Sequence, residues 1–278
     1  MDLVNGKVAV VTGSTQGLGA GIASTMAAEG ARVVVTGRQV DKGKAVVQSI
    51  LAAGGQAEYC EMDLATEGGC IELLDFAEHT YGRIDILVNN HAPVKELMSE
   101  GLDSSLVDTD TSEWNFLLNI GLSSIYFMAR HGIPRLLANG GGAIVNISSL
   151  ASEMAAPGMP MYSTIKSAMD GLTRAIAVDY GKRGIRCNAV SPHCVMASEL
   201  TELVFANEDL ARDLARCLMV PRRGQVDDIA NLVTFLASDS AAGYIQGQVI
   251  RCDGGASVAL PIPALQSGFA DGVASVSN

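Results

Sequence analysis

The residues of this sequence that are best suited to chemistry are a tyrosine, a lysine and a serine. Tyr162 and Lys166 are four positions apart at the start of a predicted helix, so their side chains share one face. A phenol titrates at about pH 10 and is a poor base at neutrality, but a neighbouring ammonium group favours the phenolate. Ser149 follows a predicted strand, where its hydroxyl can donate to a carbonyl oxygen as charge develops. This set predicts proton transfer at a carbonyl or alcohol; the plain alternative is a surface helix pair beside a turn-forming serine.

A glycine-rich loop follows the first predicted strand and directly precedes a predicted helix. Small residues in such a loop let the backbone approach a pyrophosphate, whose charge is stabilised by the free N–H groups at the start of the helix. A loop that only needs unusual backbone angles is the alternative, but the strand–loop–helix context favours dinucleotide binding. The residues expected to bind the cofactor here are Gly13, Ser14, Thr15, Gln16, Gly17, Leu18 and Gly19.

Residues after the next strands bear on which dinucleotide binds. The second strand ends in Thr36, Gly37 and Arg38, with no carboxylate to accept from the adenosine ribose hydroxyls. Arg38 can instead pair with a 2′-phosphate, which favours NADP(H) over NAD(H); an ordinary solvated arginine is the alternative. The further expected cofactor contacts are Asp63 and Leu64, beside the adenine, and Asn90, after the fourth strand.

Strands and helices alternate along the whole chain. The strands are nearly continuous hydrophobic runs, which is typical of a parallel sheet covered by helices on both faces. No linker or repeat divides the chain, so we expect one domain over residues 1–278, an α/β doubly wound parallel sheet of the Rossmann type. The predicted strands are 8–11, 32–36, 57–60, 84–89, 143–148, 185–190 and 248–252, and the predicted helices are 17–29, 41–53, 67–81, 112–137, 163–180, 198–218 and 226–237.

Composition excludes several classes of protein. The chain has 278 residues, of which 48% are hydrophobic, so it can bury a sizeable core. Its formal net charge of −11 would repel a phosphate backbone, which excludes a nucleic-acid role. No apolar run is long enough to span a bilayer and no secretion signal is recognisable, so we expect a cytoplasmic protein. The cysteines show no metal-ligand spacing, and we expect them to be reduced and to bind no metal; they are Cys60, Cys70, Cys187, Cys194, Cys217 and Cys252.

These motifs together resemble the short-chain dehydrogenase/reductase family over residues 5–256. The motifs that carry the resemblance are the loop 12–19, Asn89 with Asn90, Asn119 in its helix, Ser149, Tyr162 with Lys166, the turn 188–192 and the segment 253–255. The resemblance implies hydride transfer between NADP(H) and a carbonyl or secondary alcohol of a small molecule.

The resemblance also implies a role for each site residue. Tyr162 would be the general acid and base, and Ser149 would polarise the substrate carbonyl. Lys166 would bind the nicotinamide ribose and lower the pKa of the tyrosine, while Asn119 would hold the water of a proton relay. Pro192 and Val195 would lie against the cofactor.

Two histidines depart from the family pattern. His91 stands where an alanine is usual, and His193 stands where a glycine is usual, so His193 either contacts substrate or packs. The resemblance further implies a substrate lid over about 193–224, a C-terminal tail over 256–278 and a homotetramer. Two alternatives remain: a 3-oxoacyl-thioester reductase, and a sensor that binds NADPH without turnover.

Overall fold

Seven parallel strands form the centre of the fold. The structure is a computed structural model that describes residues 2–93, 96, 101–155, 157–197 and 206–258. The large sheet has the order β3-β2-β1-β4-β5-β6-β9, and β7 pairs with β8 separately. The strands are β1 (Val8–Val11), β2 (Arg32–Gly37), β3 (Gln56–Glu61), β4 (Ile86–Asn89), β5 (Gly142–Ile147), β6 (Ile185–Pro192), β7 (Val195–Met196), β8 (Gly224–Gln225) and β9 (Val249–Cys252).

Helices cover both faces of this sheet. Side chains alternate along each strand, so Ala9 and Val11 of β1 enter the core on one face while Val10 enters the core on the other. This arrangement confirms the predicted doubly wound Rossmann fold, and none of the described helices is long and apolar enough to cross a bilayer. The helices are α1 (Gly17–Ala28), α2 (Val40–Ala52), α3 (Glu67–Tyr81), α4 (Thr111–Leu118), α5 (Ser124–Ala138), α6 (Pro160–Tyr180), α7 (Glu208–Arg216), α8 (Val226–Ala237) and α9 (Asp239–Ala242).

The predicted helix 112–137 is not a single α-helix. A π-helical segment, Asn119–Ser123, separates α4 from α5, and the N–H of Ser124 donates to the carbonyl of Asn119 five residues earlier. A π turn inserts one residue into the helix, so the side chains before and after it face directions that a regular repeat does not predict. The other predicted bounds differ from the structure by three residues or fewer, except in the segment 198–218, where 198–205 lie outside the described residues.

The predicted lid is tied together at its base. Val195 of β7 pairs with Gly224 of β8, and Met196 pairs with Gln225, so the two ends of the segment 193–224 lie side by side. Most of the predicted tail, 259–278, lies outside the described residues.

Candidate active site

The strand order reverses between β1 and β4, and a cavity of about 390 Å³ opens there at the carboxyl ends of the strands. Six strand ends and α6 contribute to its wall. The predicted site residues that line it are Gly13, Thr15, Gln16, Gly17, Leu18, Gly19, Arg38, Asp63, Leu64, Asn90, Ser149, Tyr162, Lys166, Pro192 and Val195. The structure thus brings a glycine loop and a tyrosine–lysine–serine set into one cavity.

The glycine loop fits a nucleotide diphosphate. Gly13 and Gly17 have φ angles of +62° and +59°, in the left-handed region that favours glycine. A Cβ on Gly19 would come within 2.3 Å of the Gly13 carbonyl oxygen. The Nδ2 group of Asn90 donates to the carbonyls of Thr12 and Gly13 at 3.0 Å and so fixes the loop. No side chain caps the N-terminus of α1, whose first N–H groups lie beside the cavity and are suited to an anion.

Ser14 does not line the cavity, contrary to the sequence-based expectation. Its hydroxyl donates to the Val11 carbonyl at 2.6 Å and accepts from the Thr36 N–H at 2.9 Å. The side chain is fully buried. Ser14 therefore joins β1 to β2 and supports the glycine loop from behind.

Arg38 is already paired at the cavity wall. Its Nη2 lies 3.1 Å from Oε1 of Glu96; the Arg38 side chain is 55% exposed, whereas that of Glu96 is only 8% exposed. Both residues line the cavity together with Asp63. A 2′-phosphate that binds Arg38 must therefore compete with a buried carboxylate, which the sequence did not predict.

His91 lines the cavity next to the glycine loop. Its Cα would be 3.1 Å from a Cβ on Gly13, so Gly13 has no room for a side chain. Burial lowers the pKa of the imidazole to about 4, with a smaller effect in the same direction from Arg38. His91 is therefore neutral at pH 7, and its Nε2 is buried with no partner among the described residues.

Tyr162, Ser149 and Lys166 lie together in the cavity; Ser149 follows β5, which β1 and β4 separate from the β2 strand that precedes Arg38. The Tyr162 hydroxyl shares a hydrogen bond with the Ser149 side chain. The Lys166 Nζ lies 5.7 Å from the centre of the tyrosine ring and donates to the Ile147 carbonyl at 2.7 Å. The three groups sit where a carbonyl compound in the cavity could meet all of them.

The surroundings of Tyr162 in this cavity act against the expected lowering of its pKa. Burial raises the pKa of Tyr162 above its usual value, and the Ser149 hydrogen bond opposes this only in part. Burial also lowers the pKa of Lys166 to about 8, while the carboxylate of Asp170 acts in the opposite direction. Tyr162 is therefore protonated at pH 7 and is suited to donating a proton.

Besides Ser14, two further predicted residues are not among those that line this cavity. Asn119 lies in the π segment with an exposed side chain that accepts from the Ser123 hydroxyl at 3.3 Å. His193 is half-buried near Asp253; burial lowers its pKa, which the Asp253 charge opposes. Neither residue is among those that line the cavity.

Sequence reasoning missed the roles of two carboxylates in the loop between β4 and α4. Glu96 pairs with Arg38, and Asp103 accepts from the backbone N–H groups of Met161 and Tyr162. The only sequence feature that could have pointed to these contacts is the high proportion of acidic residues in the loop. That feature is equally consistent with carboxylates that repel anionic ligands and with carboxylates that bind donors within the protein.

A dinucleotide loop that shares a cavity with a tyrosine, a lysine and a serine defines an oxidoreductase that uses a nicotinamide cofactor. A family model described as Enoyl-(Acyl carrier protein) reductase matches residues 13–257. The 7alpha-hydroxysteroid dehydrogenase of Clostridium sardiniense is 33% identical over 261 residues, which cover 94% of this chain and 97% of that protein.

Solved structures agree with this assignment. A 7 alpha-hydroxysteroid dehydrogenase complexed with NADH and 7-oxo glycochenodeoxycholic acid has a TM-score of 0.83 and 32% identity, over 91% of this chain and 96% of that one. A gluconate 5-dehydrogenase from Burkholderia cenocepacia J2315, in complex with NADP and tartrate, has a TM-score of 0.83 and 28% identity, over 92% and 97%. The chain belongs to the short-chain dehydrogenase/reductase family. It is an oxidoreductase that transfers a hydride between a nicotinamide cofactor and a carbonyl or alcohol.

Proposed function

We propose that this protein is an NADP(H)-dependent alcohol dehydrogenase or carbonyl reductase that acts on a non-ionic, moderately apolar small molecule. One observation carries the proposal. A single cavity is lined both by Arg38, which follows β2 and can pair with a 2′-phosphate, and by Ser149, Tyr162 and Lys166. The glycine loop lines the same cavity and could hold the pyrophosphate of a dinucleotide.

Each residue of the catalytic set has a role that follows from its surroundings. The bound nicotinamide would supply or accept the hydride. In the reductive direction Tyr162, which is protonated at pH 7, would give its proton to the carbonyl oxygen. Ser149 would donate a hydrogen bond to the same oxygen as it becomes negative. Lys166 would bind the ribose hydroxyls, for which its buried ammonium group is well placed.

The preference for NADP(H) rests on Arg38. No acidic residue ends β2, where a carboxylate would favour NAD(H), and Gly37 leaves space for a phosphate. Known structures of the family do not decide the matter, because similar proteins are described with NADH in one case and with NADP in another. The buried Glu96 beside Arg38 weakens the preference without reversing it.

The substrate end of the cavity supports an apolar ligand. Ile147, Val195 and Ala197 line the same cavity as the catalytic set. Apolar side chains further along the predicted lid fall in 198–205, outside the described residues. A substrate with a small apolar body and one carbonyl group fits this lining.

A 3-oxoacyl-thioester reductase is the runner-up, and the arginines argue against it. Its carrier-protein partner would be strongly acidic and would need a basic surface near the site. Three of the five arginines that could form one are paired with carboxylates: Arg130 with Glu67, Arg135 with Asp75 and Glu78, and Arg222 with Asp228.

We also propose that the protein is a homotetramer of the cytoplasm. Helices α5 and α6 border a groove, and Tyr126 and Val178 are exposed on them, which supports self-association along these helices. The cysteines are free thiols, as is typical of a reducing compartment. Light scattering after size exclusion tests the tetramer, and a monomer would refute it.

The deciding experiment is a turnover assay with NADPH and with NADH against a panel of ketones, aldehydes and secondary alcohols. We expect turnover with NADPH, and we expect Tyr162→Phe to abolish it while NADPH binds as before. Loss of NADPH binding in Tyr162→Phe would contradict the role of the tyrosine. NADPH binding by the wild type without turnover of any compound would favour the sensor.

A further inference from the structure

The catalytic tyrosine lies in the first turn of a helix that supplies no cap of its own. Tyr162 is the third residue of α6, after Pro160 and Met161, and the residue before the helix, Met159, makes no capping bond with its side chain. The first N–H groups of a helix lack partners within the helix and need acceptors from elsewhere. What binds these groups also fixes the backbone that carries the phenol.

Asp103 supplies the missing acceptors from a distant part of the chain. Its Oδ1 accepts from the Met161 N–H at 2.9 Å, and its Oδ2 accepts from the Tyr162 N–H at 2.8 Å. Both carboxylate oxygens are therefore used, and one of them binds the backbone of the tyrosine itself. A carboxylate at this position also interacts favourably with the positive end of the helix.

The neighbouring residue holds Asp103 in place. Leu102 packs, with Trp114 and Tyr162, against a small apolar cluster formed by Leu117, Met161 and Ile165. Its N–H donates to the carbonyl of Glu96 at 3.2 Å. The carboxylate is thus presented to α6 by a segment that packs against the same apolar cluster as the tyrosine side chain.

We propose that Asp103 is a positioning residue that fixes Tyr162 relative to Ser149 and the substrate carbonyl; this inference rests on the proposed function. A helix cap that served only stability would bind any free N–H group of the first turn. Asp103 instead binds the N–H of the reacting residue. Because a displacement of about 1 Å at a reacting group can cost about 100-fold in rate, loss of this contact should be visible in catalysis.

Asp103→Ala tests the proposal, and Asp103→Asn, which keeps one acceptor oxygen, tests rescue. The matched control is Asp110→Ala. Asp110 belongs to the same loop and caps α4 through the Ser112 N–H at 2.7 Å, so it has the same chemistry on a helix without the tyrosine. Removal of either cap should lower the melting temperature by a similar amount, roughly 2–4 °C.

Two readouts separate positioning from stability. Hydrogen exchange of the Met161 and Tyr162 amides, followed by mass spectrometry, should accelerate at least about 10-fold in Asp103→Ala and stay unchanged in Asp110→Ala. The kcat should fall about 10- to 100-fold in Asp103→Ala and less in Asp103→Asn, with KM and the NADPH Kd within about 3-fold of wild type.

Three results would overturn the proposal. Unchanged amide exchange would show that the contact is absent, and unchanged kcat with faster exchange would show that it does not position the tyrosine. An equal loss of kcat in Asp110→Ala would show that the loss in Asp103→Ala comes from lower stability of the protein and not from a displaced tyrosine. A wild type that binds NADPH but turns over nothing contradicts the proposed function, and the exchange measurement still decides whether Asp103 holds α6.

Discussion

The ion pair between Arg38 and Glu96 should control how strongly the cavity prefers a phosphorylated nucleotide. Glu96 is buried in the wall, and its Oε1 lies 3.1 Å from the Arg38 Nη2. A 2′-phosphate that pairs with Arg38 must displace this carboxylate and then lie near its charge. Replacing Glu96 by glutamine keeps the shape and removes the charge, so Glu96→Gln should improve NADPH binding.

The size of the effect follows from the geometry. Two unit charges 3.1 Å apart interact by about 1.3 kcal/mol in water and about 5 kcal/mol at an effective dielectric constant of 20. Because the Arg38 side chain is 55% exposed, the value lies close to the water limit, at about 1–1.5 kcal/mol. NADPH should therefore bind roughly 5- to 12-fold more tightly to Glu96→Gln.

Fluorescence titration with NADPH and NADH measures this in four proteins: wild type, Glu96→Gln, Arg38→Ala and the double variant. Arg38→Ala should weaken NADPH binding by about 1.5–3 kcal/mol, the range for a hydrogen bond to a charged group. NADH binding should stay within about 2-fold in all four proteins. The gain from Glu96→Gln should shrink in the absence of Arg38, because no arginine is then released from a pair.

Two results would refute this reasoning. Weaker binding of both cofactors to Glu96→Gln would show that Glu96 contacts the nucleotide directly, as a ribose ligand. Tighter binding of NADH than of NADPH to the wild type would show that Arg38 does not recognise a phosphate. Repeating the titrations at high salt checks the electrostatic origin, because the difference between wild type and Glu96→Gln should then decrease.

Three further predictions concern the rest of the site. Asn119→Ala should keep kcat within about 2-fold of wild type, because the side chain is exposed. A large loss of kcat would instead support a role for this side chain in a proton relay. Asp170→Asn removes the charge that raises the pKa of Lys166 against burial. The pKa of the Lys166 ammonium group should then fall, so the alkaline limb of the kcat/KM profile should move to lower pH. An unchanged alkaline limb would contradict this. Ser14→Ala should lower the free energy of unfolding by about 1–3 kcal/mol in chemical denaturation, because the Thr36 N–H loses its acceptor, with NADPH binding almost unchanged.

The parts of the fold that the sequence predicts well are those with a local physical signature. The runs at Val8–Val11 and Arg32–Gly37 are apolar because both faces of each strand are covered. The four-residue spacing of Tyr162 and Lys166 places both side chains in the cavity, because α6 is a regular helix from Pro160 to Tyr180. These local patterns are therefore sufficient to predict the strands of the sheet and the shared face of Tyr162 and Lys166.

Two other expectations concern residues whose surroundings the sequence does not reveal. The resemblance implied that Asn119 holds the water of a proton relay; in the structure Asn119 begins a π segment and its exposed side chain accepts from Ser123, so the relay stays a prediction. Ser14 was expected to contact the cofactor because it lies within the glycine loop. Its hydroxyl instead donates to the Val11 carbonyl and accepts from the Thr36 N–H. The contact with Thr36 spans 22 residues, and no local sequence pattern reveals it.

The acidic loop between β4 and α4 shows why charge counted along a sequence can mislead. Its acidic composition suggests repulsion of anionic substrates, yet three of its described carboxylates have partners inside the protein. Glu96 pairs with an arginine, Asp103 binds two N–H groups of α6, and Asp110 caps α4. The charge of Glu96 is offset by that of Arg38, so this carboxylate contributes much less field to the cavity than an unpaired one does. The expectation of a non-ionic substrate therefore depends on the apolar wall at Ile147, Val195 and Ala197 rather than on this loop, and a carboxylate-bearing ketone belongs in the first substrate panel as a direct test of that argument.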